Sequence, residues 1–267
     1  MRTDSEPDLN AARQAPARST VLREHILGIP FFNDSPAAAV QTMATDGGLL
    51  VAPSGTCFDR FMTDGDYRRA VLSADVVLPD SGAMVALWRL SQSRSLQRIS
   101  GLAYLHELFK GPALRHDESA CWVLPHERSL SKLLAWSQRS GIAVQTGDCY
   151  LAPMYGRAVE DERLLAFLEH RRPRHVIVAI GAGAQEKLGL FLRDRMSFRP
   201  AISCIGGALG FVTGDQVAIP DWADRYYLGW ALRLFRNPRV FIPRLAKAAA
   251  LPALLVRHGA ELPPLKT

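Results

Sequence analysis

The sequence predicts an α/β fold, in which a Rossmann-like, mostly parallel sheet carries helices on both faces. Two features of the 267-residue chain support this prediction. Short apolar runs rich in β-branched residues alternate with stretches of helical spacing, and most of these runs end at a turn that contains Gly or Pro. Alternating units of this length are typical of parallel sheets, because the helix that joins two parallel strands covers one face of the sheet.

The individual elements follow from these patterns in chain order. The predicted strands cover residues 49–52, 74–78, 120–124, 142–145, 175–180 and 201–205. The predicted helices cover residues 67–72, 84–90, 129–139, 161–170 and 187–196. Strand and helix therefore alternate through most of the chain, as a doubly covered parallel sheet requires.

The chain is predicted to have three parts. Residues 1–20 carry three acidic side chains and no apolar core, so we expect a disordered lead-in rather than a signal peptide. Residues 21–219 hold the alternating pattern and are expected to form the α/β domain. Residues 220–267 are rich in aromatic and basic residues and are divided by prolines, which predicts a helical, basic C-terminal appendage.

The net charge of +6 is concentrated in this appendage. Residues 225–260 contain seven Arg or Lys and no acid, and aromatic side chains are interleaved with the cations. This composition fits an interfacial helix on anionic lipid, although nucleic acid or a plain amphipathic helix could account for it as well. The lack of acids favours the membrane surface. No apolar run reaches the roughly 20 residues of a membrane-spanning helix, and four widely spaced cysteines indicate a reducing cytoplasm rather than a zinc site.

Asp80 is the most informative residue of the sequence. It follows the predicted strand 74–78 and Pro79, and ligands of open α/β sheets bind just outside the carboxyl ends of the strands. Asp is also a common N-cap, so Asp80 could instead cap the next helix, although Ser81 and Gly82 intervene. The spacing alone leaves both roles open.

Two other motifs also have a structural and a functional interpretation. Gly181-Ala182-Gly183 could be a tight strand-to-helix turn or a phosphate-binding helix N-terminus, and it lacks the third glycine of a dinucleotide fingerprint. Asp64-Gly65-Asp66 resembles a metal-binding D-x-D motif, but its position before a helix favours capping. We therefore predict no metal site.

Several motifs occur along the chain in a fixed order. They are Leu78-Pro79-Asp80, Arg98-Ile99-Ser100-Gly101, Gln185-Glu186-Lys187, Ile205-Gly206-Gly207-Ala208 and a tail with Trp222, Arg225, Trp230, Arg233 and Asn237-Pro238-Arg239. Taken together, they resemble the TagA/WecG/CpsF family of bacterial glycosyltransferases over roughly residues 21–257. Members of that family transfer a sugar, commonly N-acetylmannosamine or its uronic acid, from a UDP donor to a polyprenyl-diphosphate-linked saccharide. They act at the cytoplasmic membrane face, invert the anomeric centre and need no metal.

The resemblance implies an inverting UDP-sugar glycosyltransferase of surface polysaccharide assembly, peripheral to the inner face of the membrane and without a cofactor. Asp80 corresponds to the catalytic base, and Arg98 and Gln185 correspond to residues that line the active site. Donor or acceptor contacts are expected at Ser54, Thr56, Ser81, Gly181, Gly206, Gly207, Arg225, Arg233 and Arg236. The residues agree with this chemistry, because one carboxylate can take the acceptor proton, while Arg side chains and a helix N-terminus can stabilise the leaving diphosphate. No nucleic-acid partner is expected, and a homo-oligomer is left open.

The chain departs from the family pattern at four turns. Ala52-Pro53-Ser54 replaces a Thr-Pro-Asn turn, Asp80-Ser81 replaces Asp-Gly, Pro125-His126 replaces Gly-Gly, and Gly183-Ala184 replaces Pro-Lys before Gln185. These changes keep two alternatives open beside the enzyme. One is a nucleotide-sugar-binding scaffold that has lost activity, and the other is a dinucleotide-dependent oxidoreductase suggested by the Gly-rich strand ends.

Overall fold

The computed structural model of the chain describes residues 22–55, 57–92, 95–111, 114, 120–214 and 250–266. Within these ranges an eight-stranded sheet lies between two layers of helices. The strands are β1 (Arg23–Ile26), β2 (Ile29–Phe32), β3 (Gly48–Val51), β4 (Val76–Val77), β5 (Ala120–Leu124), β6 (Cys149–Leu151), β7 (His175–Val178) and β8 (Ala201–Cys204). The helices are α1 (Pro36–Asp46), α2 (Cys57–Thr63), α3 (Gly65–Leu72), α4 (Gly82–Gln92), α5 (Gly101–Lys110), α6 (Glu127–Ser140), α7 (Glu162–Arg171), α8 (Ala184–Arg195), α9 (Ala208–Thr213) and α10 (Leu251–His258).

The strand order is β1-β2-β4-β3-β8-β7-β5-β6. The hairpin of β1 and β2 is antiparallel, and the other neighbouring strands are parallel. Parallel pairing places the last residues of β3, β4, β7 and β8 side by side, as in the pairs Val51 with Val77 and Val178 with Cys204. We call this side of the sheet the carboxyl edge and the opposite side the amino edge. The predicted α/β class with a mostly parallel sheet is confirmed.

The central strands are buried on both faces. Successive residues of β3 and β7 alternate between two hydrophobic clusters, one on each face of the sheet. Leu49 and Val51 belong to one cluster, and Leu50 belongs to the other. This two-sided burial explains why these strands read as continuous apolar runs in the sequence.

One predicted strand is displaced. Residues 142–145 do not pair as a strand, and Cys149–Leu151 pairs with β5 instead, with Cys149 opposite Trp122. A single 3-10 turn over Thr146–Asp148 separates the two segments. The buried carboxylate of Asp148 accepts from the backbone N–H of Gln145 and pairs with Arg171. The ion pair joins the turn before β6 to the end of α7, a contact that the apolar run 142–145 does not indicate.

The C-terminal segment from 250 to 266 packs on the α/β body. Leu251 and Leu255 of α10 are buried in the same cluster as α4. After α10, the carbonyl groups of Gly259 and Ala260 accept hydrogen bonds from the β1–β2 turn at 2.9 and 2.8 Å. Because β2 is parallel to β4, that turn lies at the amino edge, so the residues that follow α10 lie at the amino edge as well.

Much of the predicted lead-in and appendage lies outside the described residues, including 215–249, so the three-part division stays a prediction. Among the helices of the described ranges, none is long and apolar enough to cross a bilayer.

Candidate active site

The Asp80 carboxylate lies at the carboxyl edge, in the loop that follows β4. Its Oδ1 accepts a hydrogen bond from the backbone N–H of Gly101 at 3.2 Å and lies 4.0 Å from a guanidinium nitrogen of Arg98. The side chain is 24% exposed, so it is fixed in position and still open to a ligand. A carboxylate held in this way can take a proton from a hydroxyl group that is brought to it.

Ser81, rather than Asp80, caps the helix that follows. The Ser81 hydroxyl accepts from the N–H of Met84 at 3.3 Å, and its carbonyl oxygen accepts from the N–H of Val85 at 3.0 Å. The interpretation of Asp80 as the cap of α4 therefore does not hold. Asp80 faces the N-terminus of a different helix, α5, whose first residue is Gly101.

Arg98 ties the Asp80 loop to the segment before α5. Its Nε donates to the backbone carbonyl oxygen of Asp80 at 2.9 Å, and the neighbouring N–H of Ile99 donates to the carbonyl oxygen of Pro79 at 3.3 Å. The Arg98 side chain is 16% exposed. The structure thus brings together the two residues that the sequence assigned to catalysis.

A cavity of about 200 Å³ opens at the ends of β5, β7 and β8. Three of its lining residues, Gly181, Gly206 and Gly207, were predicted contact residues. The other lining residues are Leu124, Pro125, His126, Ser129, Ala179, Ile180, Leu209, Gly210 and Thr213. With so many small residues, backbone groups rather than side chains form much of its wall.

Gly101 connects the Asp80 loop to this cavity. A Cβ atom at Gly101 would lie 3.5 Å from the carbonyl oxygen of Ile205 and 3.8 Å from the Cβ of Ala52. Ile205 directly precedes Gly206 of the cavity wall, and Ala52 precedes the turn that contains Ser54. The Asp80 carboxylate, the cavity and the early turn therefore adjoin one another at the carboxyl edge.

A buried polar pair lies behind the Gly181–Gly183 turn. Gln185 is 2% exposed and Glu186 is fully buried. Gln185 Nε2 donates to Glu186 Oε1 at 3.1 Å, and Glu186 Oε2 accepts from the N–H of Gly183 at 2.6 Å. Burial raises the pKa of Glu186, while the Gly183 N–H, the Gln185 amide and the positive charge of Arg60 act in the opposite direction.

Arg60 of α2 lies against the same turn. Its Nη1 donates to the carbonyl oxygen of Ala182 at 2.6 Å, and a Cβ at Gly183 would lie only 2.2 Å from that nitrogen. Gly183 also has a φ of +99°, which side chains rarely adopt. The guanidinium of Arg60 could shift to make room, but the positive φ requires glycine, as the tight-turn interpretation of the motif predicts.

The remaining predicted contact residues differ in their surroundings. Ser54 is half-buried, and its hydroxyl lies 3.4 Å from the Cys57 sulfur. Burial, and then the charge of Glu186, raise the pKa of Cys57, so its thiol is a packing group rather than a nucleophile. The hydroxyl of Ser81 is occupied by its helix cap. Thr56, Arg225, Arg233 and Arg236 lie outside the described residues.

The predicted catalytic and contact residues did not include three residues that the structure places at this site. Gly101 follows Ser100, which caps α5, and a Ser before a helical pattern is a signal that could have located this helix N-terminus. Glu186 stands three residues after Gly183, the spacing of a capping carboxylate. His126 caps α6 through Nδ1, which accepts from the N–H of Ser129 at 3.1 Å.

The Asp64 motif is a helix cap, as predicted. Asp64 Oδ1 accepts from the backbone N–H groups of Asp66 and Tyr67 at 3.1 and 3.0 Å, and Oδ2 pairs with Lys187 at 3.1 Å. Over the described part of the chain, no cluster of three or more His, Cys, Asp or Glu side chains could hold a metal ion.

Fold and site together define an α/β protein with a glycine-lined cavity at the carboxyl edge of a parallel sheet, next to the partly exposed carboxylate of Asp80. Comparison with known families is more specific. Residues 24–262 match the model of the glycosyl transferase WecG/TagA/CpsF family, and the chain belongs to that family. The resemblance inferred from the ordered motifs is thereby confirmed, together with the glycosyltransferase class.

A similar protein is the N-acetylglucosaminyldiphosphoundecaprenol N-acetyl-beta-D-mannosaminyltransferase of Bacillus subtilis (strain 168). The two chains are 29% identical over 178 residues. The aligned part covers 66% of this chain and 66% of that protein, which is just under two thirds of its length.

Proposed function

We propose that this protein transfers a sugar of the N-acetylmannosamine type from a UDP donor to a polyprenyl-diphosphate-linked acceptor, with inversion at the anomeric carbon. Asp80 acts as the general base for the acceptor hydroxyl. The reaction belongs to the assembly of cell-envelope polysaccharide, at the inner face of the membrane. Family membership and the name of the Bacillus relative support the reaction class and the acceptor.

The position of Asp80 is the observation that carries the proposal. A direct displacement needs one base on the acceptor side, and Asp80 is a partly exposed carboxylate next to a glycine-lined cavity. The N–H of Gly101 and the guanidinium of Arg98 hold it in place from one side. The acceptor hydroxyl would approach from the open side and give its proton to Asp80 as its oxygen bonds to the anomeric carbon, while the bond from that carbon to the diphosphate oxygen breaks and UDP leaves.

Helix N-termini support the donor half of the proposal. The helices α4, α5 and α8 all begin at the carboxyl edge, so their positive dipole ends point towards the ligand. Such ends, together with backbone N–H groups at a glycine-rich turn, favour the diphosphate of a nucleotide. The cavity is smaller than the roughly 300–1,000 Å³ of most ligand pockets. It would therefore hold only part of a UDP-sugar, and the rest would extend towards Asp80.

The ends of the segment 215–249 support a role for the basic tail at this site. Thr213, next to its start, lines the cavity. α10, which follows its end, packs against α4, a helix that begins at the carboxyl edge. A basic segment anchored in this way can bring Arg225, Arg233 and Arg236 to the leaving diphosphate and to anionic lipid.

The test is sugar transfer by purified protein with Asp80→Asn as the variant. A UDP-N-acetylmannosamine donor and a polyprenyl-diphosphate-linked N-acetylglucosamine acceptor serve as substrates. We expect a loss of about 100-fold or more in kcat, in line with the usual contribution of general base catalysis, with UDP binding retained. Asp46→Asn is the matched control, because Asp46 is exposed at the end of α1, on the side of the amino edge.

Two results would count against the proposal. Full transfer by Asp80→Asn would remove Asp80 from the chemistry. No transfer by the wild-type protein with a panel of UDP-sugars, combined with unchanged biological function of Asp80→Asn, would favour a nucleotide-sugar-binding scaffold.

A further inference from the structure

Glu186 is a buried carboxylate for which the proposed mechanism has no role. Its side chain is fully buried behind the Gly181–Gly183 turn. A carboxylate in such a place is costly unless both oxygens are hydrogen-bonded. Its contacts therefore indicate what it contributes to the site.

The two oxygens of Glu186 serve different parts of the site. Oε2 accepts from the backbone N–H of Gly183 at 2.6 Å, which is an ordinary capping contact at the N-terminus of α8. Oε1 accepts from Nε2 of Gln185 at 3.1 Å. This second bond has no part in capping, because it orients a neighbouring side chain.

The bond from Gln185 determines which way its amide points. Nε2 faces two acceptors, Glu186 Oε1 and the carbonyl oxygen of Cys204 at 3.4 Å. An amide oxygen cannot donate to either of them, so the nitrogen has to occupy this side. The Oε1 atom of Gln185 then faces the other way, where it is buried and has no hydrogen-bond partner among the described residues.

The Gln185 amide lies directly against the cavity wall. A Cβ at Gly206 would lie 3.2 Å from its nitrogen and 3.3 Å from its oxygen, and Gly206 lines the cavity. A buried acceptor without a donor carries a desolvation cost. Gln185 adjoins Gly206 but does not itself line the cavity, so a hydroxyl or N–H group of a ligand would relieve that cost where it reaches past Gly206 to Oε1.

We propose that Glu186 is a positioning residue for the transfer reaction, which holds the Gln185 amide in the orientation that offers Oε1 to a hydroxyl or N–H group of the sugar nucleotide. This inference rests on the proposed function. It also limits what Gln185 can recognise, since the ionised diphosphate has no hydrogen to donate. Gln185 therefore meets the sugar, the ribose or the base, and the diphosphate is left to cationic groups and helix N-termini.

The test is a double-mutant cycle between Glu186→Gln and Gln185→Ala. Glu186→Gln keeps the shape of the side chain but replaces one acceptor oxygen with an NH₂ group. This group faces either the N–H of Gly183 or Nε2 of Gln185, so the Gln185 amide is no longer held in its present orientation. We expect kcat/KM for sugar transfer to fall by about 10- to 100-fold, because a contact that is misplaced by about 1 Å positions the substrate less well for reaction. In the Gln185→Ala background the same change should cost less than about 3-fold, because coupled residues are not additive.

A merely structural role gives a different result. If Glu186 only stabilises α8, the Glu186→Gln change lowers kcat/KM by the same factor in both backgrounds, and the positioning role is overturned. Asp161→Asn is the matched control, because Asp161 is also a buried capping carboxylate and lies at the N-terminus of α7. It should lower the melting temperature without any coupling to Gln185.

Two further measurements keep the test decisive. If Glu186→Gln does not fold, Glu186→Asp takes its place, since it keeps the charge and shortens the reach to Gln185. If the wild-type protein transfers no sugar, the proposed function fails, and the cycle is run on binding of UDP-N-acetylmannosamine by titration calorimetry. Coupling in the binding constants then supports the positioning role, and additive losses overturn it.

Discussion

Two deletions should separate the structural part of the C-terminal region from the part that the membrane proposal needs. One variant ends after Gly214. The other replaces residues 215–249 with a Gly/Ser linker of about 20 residues, which spans roughly 25 Å, and keeps 250–266. Both lack the basic aromatic segment, so they differ only in α10 and the residues after it. We expect the second variant to be clearly more stable than the first.

The size of the difference follows from the packing of α10. Leu251 and Leu255 are 2% and 6% exposed, and burial of one such side chain contributes about 1.5–3 kcal/mol. The shorter variant therefore loses about 3–6 kcal/mol from these two residues. It also leaves the N–H groups of Leu27 and Gly28 without their partners at Gly259 and Ala260. In a domain of this size, 3–6 kcal/mol lowers the melting temperature by roughly 6–24 °C.

Circular dichroism melts of the two variants measure this difference, and liposome flotation tests the membrane role of residues 215–249. Equal melting temperatures would refute the inference that α10 belongs to the folded body. Liposome binding by the linker variant equal to that of the full chain would place the membrane contact outside 215–249. The two outcomes are independent, so one part of the reasoning can fail without the other.

Three further predictions concern single residues. Burial, and then the charge of its neighbour Arg174, lowers the pKa of His175 from 6.5 to about 4. Between these two pH values, His175 is protonated in the unfolded chain and neutral in the folded protein. Stability should be full above pH 6.5 and fall by about 2 kcal/mol at pH 5, and urea denaturation of His175→Phe should lack this loss. Arg98→Lys keeps the charge but loses the Nε bond to the Asp80 carbonyl, so kcat should fall by about 10-fold or more with little change in UDP affinity, whereas the reverse pattern would make Arg98 a donor-binding residue. Gly206→Ala, at a φ of +55°, should cost about 1–2 kcal/mol and impair transfer by displacing Gln185. The matched change Gly101→Ala adds a Cβ with ordinary contacts of 3.5–3.8 Å and should fold normally.

The parallel sheet could be predicted because its strands are buried on both faces. β3, β5, β7 and β8 are continuous apolar runs that end at turn-forming residues, and the structure places strands at each of them. The hairpin of β1 and β2 gave no comparable signal, because its outer strand is largely exposed and carries Arg23, Glu24 and His25. The displaced strand β6 follows Asp148, whose ion pair with Arg171 joins residues distant in the sequence.

The site was predictable in part for a similar reason. Asp80, Arg98 and the glycines at 181, 206 and 207 stand next to strand ends or in ordered motifs, so their position in the sequence indicates the carboxyl edge. The partners of these residues depend on three-dimensional contacts. That the N–H of Gly101 meets Asp80, and that Glu186 orients the amide of Gln185, follows only from the way α5 and α8 pack.

The direction of the parallel strands separates chemistry from stability in this protein. Every crossover returns the chain to the amino edge and begins its helix at the carboxyl edge, so positive helix ends gather where Asp80 lies. Among the described residues, the amino edge carries charges that hold the fold: Asp75 accepts from the N–H of Leu49 and pairs with Arg193 and Arg199. Substitution of Asp75 should lower the melting temperature and leave kcat nearly unchanged, because Asp75 precedes β4 and Asp80 follows it, at the opposite edge of the sheet. Substitution of Asp80 should have the opposite effect if it is the general base that we propose.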